Sequence, residues 1–115
     1  MWINIPTDIV NGSTYDIISN GGNVSVVGTY IMSVSDIGNN GDMVLTSNII
    51  THVPSDTTTI NNRGLNGSIK LNDTNWHHIV QTVDITGGDS STCTISLYVD
   101  GVLDGNKQLI PELNT

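Results

Sequence analysis

Short turn signals built on glycine recur along the whole chain. Asn-Gly and Asp-Gly pairs suit turns that need a positive φ angle, which most residues avoid. Between them lie runs of β-branched and aliphatic residues, which favour strands. The turn signals are Asn11-Gly12, Asn20-Gly21-Gly22, Asn39-Asn40-Gly41, Asn66-Gly67, Gly87-Gly88 and Asp100-Gly101. This punctuation predicts many short strands joined by tight turns.

The composition supports the same conclusion and excludes other classes. The 115 residues include no alanine and one glutamate, Glu112, so the chain lacks good helix formers. Ile and Val together number 26. Three Lys and Arg against eleven acids give a net charge of −8, which argues against binding to nucleic acid or to an anionic membrane. No apolar run approaches the roughly 20 residues that span a bilayer.

The candidate strands are read from alternation and from the turns that bound them. Cys93, Ile95, Leu97 and Val99 alternate with polar residues, which predicts one face in a core and one in water. Residues 76–85 carry apolar groups on both faces, which favours a central strand covered on both sides. The candidates are residues 2–5, 16–19, 28–35, 42–53, 68–71, 76–85, 93–100 and 107–110, with 55–62 as a polar loop. Together they predict an all-β antiparallel sandwich.

Two segments resemble a known family. The first is Leu71-Asn72-Asp73-Thr74-Asn75-Trp76-His77-His78-Ile79-Val80, and the second is Ser96-Leu97-Tyr98-Val99-Asp100-Gly101-Val102-Leu103. A polar turn, Trp-His-His, a hairpin and then Tyr-Val-Asp-Gly resemble the laminin G-like, concanavalin A-like jelly-roll domains. The resemblance implies one domain over residues 1–115 that lacks the family's first and last strands. It also implies structural roles for Trp76, His78, Leu97 and Val99, with Trp76 in the core.

The residues that could carry catalysis do not form a recognisable pattern. His77 and His78 are adjacent, so a strand directs them to opposite faces and they cannot chelate one metal together. A zinc site that adds His52 has no supporting ligand spacing. Cys93 lies on the predicted inward face, which favours an inert thiol. Glu112 stands beside Pro111 without a carboxylate partner, whereas a glycosidase needs two carboxylates across one bond. We therefore expect a protein that is not an enzyme.

Acidic turns and exposed aromatic rings suggest two kinds of binding site. Calcium takes oxygen ligands from Asp, Asn and backbone carbonyls. The candidate calcium ligands are Asp42, Asp84, Asp89, Asp100 and Asp104, and the alternative is that these residues simply make turns. The candidate ligand-binding residues are Tyr15, Tyr30, Asn39 and Asn40, with Trp2 and Tyr98 as further stacking candidates. The expected cofactor is therefore either none or calcium.

The family resemblance and the polar, acidic surface predict a non-catalytic recognition module. Its expected ligand is a glycan or another protein, bound at a cell or virion surface, although the first residues, Met1-Trp2-Ile3-Asn4, are not a signal peptide. The alternative is a structural module of a phage or bacterial surface assembly without a small ligand, a reading with which the Asn- and Thr-rich composition is compatible. Unpaired sheet edges near the N-terminal strand and the C-terminal segment further predict a symmetric homo-oligomer.

Overall fold

The computed structural model describes residues 1–19, 30–53, 56–86 and 92–109, with side chains described for 1–19, 31–48, 64–84 and 94–105. Within these ranges the regular elements are all β-strands, arranged in two antiparallel sheets of four. The strands are β1 (Trp2–Asn4), β2 (Thr14–Ser19), β3 (Tyr30–Ser35), β4 (Val44–Val53), β5 (Asp56–Asn66), β6 (Trp76–Thr86), β7 (Thr92–Val99) and β8 (Val102–Leu109). The prediction of an antiparallel β-sandwich is confirmed.

The two sheets differ in how the chain runs through them. Sheet one has the order β1-β6-β7-β8, and sheet two has the order β2-β3-β4-β5. Sheet two is a meander in which every strand pairs with its neighbour in sequence. In sheet one, β1 pairs with β6 at the opposite end of the chain, with Trp2 opposite His78 and Asn4 opposite Trp76.

The core lies between the two inner faces. Residues from both sheets and from the loops before β4 and after β5 are less than 2% exposed there: Met43, Leu45, Leu71, Ile79, Ile95, Leu97 and Val99. Fully burying one such side chain stabilises the fold by about 1.5–3 kcal/mol. The polar residues that alternate with them along β7, from Thr94 to Tyr98, are half-buried on the outer face.

Two predicted elements are wrong. Residues 55–62 were expected to form a loop, but β5 begins at Asp56 and pairs with β4. Three consecutive threonines, 57–59, are polar yet β-branched, and β-branched residues favour strands. Residues 68–71 form no strand, because the Asp104 carboxylate accepts hydrogen bonds from the amides of Ser68 and Ile69, at 2.8 and 3.0 Å. An amide held by a side chain is not available to a sheet ladder.

The expectation that Trp76 packs in the core is also wrong, since its side chain is 66% exposed. The pleat places His77 and Ile79 on the inner face of β6, at 8% and 1% exposed, so Trp76 and His78 must point outward. In a sandwich of two sheets, each sheet is covered by the other on its inner face only. The apolar residues on the outer face of β6 therefore meet solvent, and the prediction of a strand covered on both sides fails for the same reason.

The hairpin between β7 and β8 brings a carboxylate next to β6. Val99 pairs with Val102, so the turn consists of Asp100 and Gly101 alone, with φ angles of 51° and 81°. Two consecutive positive φ angles define the type I′ turn that Asp-Gly favours. The turn holds the Asp100 side chain against the start of β6, where Asp100 Oδ1 accepts a hydrogen bond from the His78 amide at 2.8 Å.

Candidate functional site

His77 is held between two carboxylates, and we call Asp73, His77 and Asp100 the histidine clamp. The Nδ1 atom of His77 lies 2.7 Å from Asp100 Oδ2, and its Nε2 atom lies 2.8 Å from Asp73 Oδ1. The imidazole is buried, whereas the Asp73 and Asp100 residues are exposed at the end of the sandwich. One side chain thus connects the turn before β6 with the turn after β7.

Local turn chemistry places both carboxylates. Asp73 accepts from the Asn75 amide at 3.0 Å, which forms an Asx turn, and its other oxygen accepts from Asn75 Nδ2 at 3.0 Å. Thr74, between them, has a φ of 72°, which is unusual for a β-branched residue. Asp100 is set by its type I′ turn. The clamp therefore joins two preformed turns through the first inward-facing side chain of β6.

The electrostatics of the clamp favour a charged imidazole between two ionised carboxylates. Hydrogen bonds from Asp100 and then Asp73 raise the pKa of His77 above its ordinary value, against the opposing effect of burial. The bond to His77 is the largest cause that lowers the pKa of Asp73, and it is also the largest for Asp100. Both ring nitrogens of His77 are occupied, so neither is available to a substrate. The histidine clamp therefore has a structural role: it holds the inner face of β6 at His77, so that Trp76 and His78 point outward.

The outer face of sheet one carries two exposed indole rings beside the histidine clamp. Trp2 is 63% exposed and Trp76 is 66% exposed. The ring of Trp2 lies against His78, with 5.1 Å between ring centroids and a 50° angle between planes. Asn4, opposite Trp76, donates its Nδ2 hydrogen to the Thr74 carbonyl at 2.8 Å. We call Trp2, Asn4, Trp76 and His78 the aromatic surface.

A second, polar groove lies on the outer face of sheet two. It has a volume of about 290 Å³ and its lining includes Thr14, Asp16, Ser33, Ser35, Thr46 and Asn48. Its hydroxyl groups bond mainly to one another and to Asp16. Ser33 Oγ donates to Asp16 Oδ1 at 2.8 Å, and Ser35 Oγ donates to Thr14 Oγ1 at 3.0 Å. A ligand entering this groove would have to replace these bonds.

The structure distributes the predicted ligand-binding residues over separate places. Tyr15 is 48% exposed and belongs to the other sheet from the aromatic surface, where it lines a groove with Ile9 and Val34 that Asn4 also borders. Asn39 and Asn40 belong to the turn after β3, where Asn40 Oδ1 accepts from the Asp42 amide at 3.0 Å. Tyr30 begins β3, but its side chain lies outside the described residues, as do those of His52 and Cys93.

Three of the five predicted calcium ligands have separate protein partners. Asp42 pairs with Lys70 at 2.7 Å, and Asp100 belongs to the clamp. Asp104 binds the 68–69 amides, and Asp84 is exposed on β6. Asp89 lies outside the described residues. Within the described residues, no three His, Cys, Asp or Glu side chains gather to hold a metal ion.

Sequence reasoning missed two buried polar residues that organise the loops. Asp36 is 5% exposed and accepts from the amides of Gly12 at 2.9 Å, Asn40 at 3.1 Å and Gly41 at 2.9 Å. These bonds, led by the one from Gly12, lower the pKa of Asp36. Asn72 is 2% exposed and joins the Met43 amide at 2.8 Å to the Gly41 carbonyl at 2.7 Å. The position of Asp36 just before the turn at 37–41 was a signal for its role, whereas the residues around Asn72 carry no such signal.

The chain belongs to the class of antiparallel β-sandwiches with two four-stranded sheets, and one outer face carries an aromatic surface. A sequence model of the concanavalin A-like lectin/glucanases superfamily, in its laminin G-like branch, matches residues 1–115. The chain is therefore a member of that family. Comparison with curated proteins and with solved structures finds no match. In the described part of the chain, no helix is long and apolar enough to cross a membrane.

Proposed function

We propose that this domain is a non-catalytic recognition module that binds glycans through its aromatic surface, at a cell or virion surface. The observation that carries the proposal is the exposure of two indole rings, Trp2 and Trp76, on a regular sheet. Membership in a superfamily of lectins and glucanases supports it. Fold alone does not define a ligand, so the argument depends on the chemistry of this surface.

The aromatic surface has the groups that a pyranose ring requires. The apolar C–H face of a sugar packs on the flat face of an indole, and the hydroxyls around its edge need hydrogen-bond partners. Asn4 and His78 provide an amide and an imidazole beside the rings. The ordered strand pairing of β1 with β6 fixes Trp2 and Trp76 before binding, which reduces the entropic cost of association.

The polar groove of sheet two is a weaker candidate for the same ligand. Its hydroxyl groups already bond to one another, so a sugar would exchange one set of hydrogen bonds for another with little gain. On the aromatic surface, by contrast, binding covers apolar area that is now in water.

The state of the clamp supports a role without catalysis. Glycoside hydrolysis needs one protonated carboxylic acid near neutral pH, and its pKa must be raised. The Asp73 and Asp100 carboxylates beside the aromatic surface have lowered pKa values because they accept hydrogen bonds from His77. Neither is suited to donate a proton to a leaving group.

The test is a glycan array followed by calorimetric titration of the best sugar, with the parent, Trp76→Ala and Trp2→Ala. We expect each Trp substitution to weaken binding about tenfold or more, because it removes a stacking face. Tyr15→Ala is the matched control, since Tyr15 is an exposed aromatic residue on the other sheet. It should bind as the parent does.

Three results would contradict the proposal. One is the absence of any carbohydrate binding with or without calcium. Another is an equal loss in Tyr15→Ala, which would move the site to the groove beside β2. The third is a loss of binding on chelation that the Trp substitutions do not reproduce, which would favour the acidic turns around Asp42 and Asp104.

A further inference from the structure

The aromatic surface continues across sheet one beyond the two indole rings. Val80 is the next outward-facing residue of β6 after His78, and it pairs with Tyr98 of β7. Tyr98 pairs in turn with Leu103 of β8. The residues on either side of Tyr98 are at most 1% exposed in the core, so Tyr98 points outward, and paired residues of antiparallel strands face the same way. Val80, Tyr98 and Leu103 therefore form a row across three strands of the outer face.

This row meets the aromatic surface at His78. Trp2 lies opposite His78 across the pairing of β1 with β6, and their ring centroids are 5.1 Å apart. Tyr98 is the diagonal neighbour of His78 across the pairing of β6 with β7, a separation that aromatic side chains can bridge. One line of side chains thus crosses all four strands of sheet one. We call it the outer stripe, and its members are Trp2, His78, Val80, Tyr98 and Leu103.

The outer stripe is accessible at both ends and along its middle. Trp2 is 63% exposed at one end and Leu103 is 49% exposed at the other. The three residues between them are half-buried on the outer face. Four neighbouring strands span three inter-strand spacings, about 14 Å in total. A single sugar unit stacked on one indole ring would therefore cover only part of this length.

Polar groups border the outer stripe on both sides. Asn4 and the Asp100 carboxylate lie on the side toward the end of the sandwich. On the other side, Thr82 pairs with Ser96 in the next outward-facing row, which places two hydroxyl groups beside the row of Tyr98. A linear sugar chain matches this order, since its rings present apolar C–H faces in the middle and hydroxyls along both edges. A purely apolar ligand would cover these polar groups without providing hydrogen bonds to them.

The charges near the outer stripe argue against an anionic ligand. Asp100 is exposed and ionised, since its hydrogen bond with His77 is the largest cause that lowers its pKa. Lys70 is the one lysine or arginine among the described side chains, and it pairs with Asp42 at 2.7 Å. The chain as a whole carries a net charge of −8. A carboxylated or sulfated sugar would meet like charge here, whereas an uncharged sugar would not.

We propose that the outer stripe binds an uncharged linear polysaccharide, whose chain runs across the four strands of sheet one. This ligand assignment depends on the proposed function and narrows it to an internal stretch of a chain rather than one terminal sugar. A pyranose unit in such a chain is about as long as one inter-strand spacing, so the stripe holds about four units, one over each strand. The rings of Trp2 and Tyr98 are the stacking platforms, and Leu103 packs against the last unit.

Calorimetric titration with oligosaccharides of increasing length tests the assignment. The probes are oligomers of one to six units of the uncharged glycan that binds best on the array, and the four-unit oligomer of the corresponding uronic acid. We expect the dissociation constant to fall at least about tenfold between two units and four, and to change little beyond that length, because the stripe is then filled. The uronic acid oligomer should bind at least about tenfold more weakly than its uncharged counterpart.

Two substitutions in the far part of the stripe separate its contribution from that of the indole rings. Tyr98→Ala should weaken binding of the four-unit oligomer about tenfold and leave the two-unit oligomer, which fits on the tryptophans, unchanged. Leu103→Ala, at an exposed position where a substitution has little effect on folding, should weaken the four-unit oligomer about threefold and also spare the two-unit oligomer. Tyr15→Ala is the matched control, since it removes an exposed aromatic ring from the other sheet, and it should bind every oligomer as the parent does.

Failure of the ligand assignment and failure of the proposed function give different results. If no glycan binds, or if Trp2→Ala and Trp76→Ala bind as the parent does, the proposed function fails and the assignment fails with it. If the Trp substitutions weaken binding but one sugar unit binds as tightly as four, the aromatic surface binds sugars and the outer stripe does not extend it. Equal losses of two-unit and four-unit binding in Tyr98→Ala, or a uronic acid oligomer that binds as well as the uncharged one, would also overturn the assignment alone. Leu103→Ala decides if Tyr98→Ala does not fold.

Discussion

The two halves of β6 are built alike and held differently. The first half, 76–79, has β1 on one side and the Asp100 turn at the end of β7 on the other, with the histidine clamp at its inner face and Ile79 fully in the core. Among the described residues, the second half, 80–86, pairs with β7 on one side only, and Val83 is 46% exposed although it lies on the same inner face. The difference arises from what the rest of the chain brings to each half. A strand's own alternation sets which side chains face inward, but neighbouring elements decide whether they are buried.

The largest test of this contrast removes one inner side chain from each half. Ile79→Ala should lower the free energy of unfolding by about 2–5 kcal/mol, since it leaves a cavity in the core. Val83→Ala should cost less than about 1 kcal/mol, because its side chain is half in water. Urea denaturation followed by circular dichroism measures both. Equal losses would show that the second half is covered as well as the first.

The clamp makes the stability of the first half depend on pH. The pKa of His77 is raised, so its contribution is complete below the ordinary histidine value of 6.5 and is lost as pH rises through the raised pKa. The pKa values of Asp73 and Asp100 are lowered, so their contribution is complete above 3.8 and is lost as pH falls through the lowered values. The stability difference between the parent and His77→Ala should therefore be greatest between pH 3.8 and 6.5, at about 1–3 kcal/mol.

The matched control for the clamp is the exposed ion pair between Asp42 and Lys70. Asp42→Asn should change the free energy of unfolding by less than about 1 kcal/mol. Denaturant titrations at a series of pH values compare the two variants with the parent. A parent-minus-His77→Ala difference that does not vary with pH would contradict the charged clamp.

The smallest expected effect on stability concerns the turn that precedes β6. Thr74 has a φ of 72°, where a β-branched side chain is strained. Thr74→Gly should raise the free energy of unfolding by up to about 1 kcal/mol, as relief of strain exceeds the entropy that glycine adds to the unfolded chain. Thermal unfolding measures the change. Thr94→Gly, in the regular strand β7, should lower the melting temperature, and a Thr74→Gly variant that does the same would refute the strain.

Local patterns were sufficient for most of the fold. Asp100-Gly101 predicts its two-residue turn, and the alternation from Ile95 to Val99 gives the inner face of β7, because both depend on neighbours in sequence. The failures involve distant partners. Residues 68–71 form no strand because Asp104, far along the chain, accepts hydrogen bonds from the amides of Ser68 and Ile69. Residues 56–62 form part of a strand because β4 is there to pair with them.

The candidate site was less accessible to sequence reasoning for the same reason. The adjacency of His77 and His78 correctly places them on opposite faces, but nothing local shows that Asp73 and Asp100 receive the first of them. Trp2 and Trp76 share a surface only because β1 pairs with β6, which is distant in sequence. The predicted ligand-binding residues, such as Tyr15 and Asn40, were chosen for the chemistry of each side chain alone. That chemistry does not show which distant residues the fold brings together.

The strand order also bears on the sequence of events in folding. Sheet two is a meander, and β6, β7 and β8 are joined by successive hairpins, so most pairings can form soon after their residues meet. The bond between Met1 and Ile79 instead closes a loop of 78 residues, whose entropy must be lost before the contact stabilises anything. We therefore expect the pairing of β1 with β6 to form after the hairpin pairings. Until it forms, Trp2 lacks its contact with the His78 ring, and the aromatic surface is incomplete.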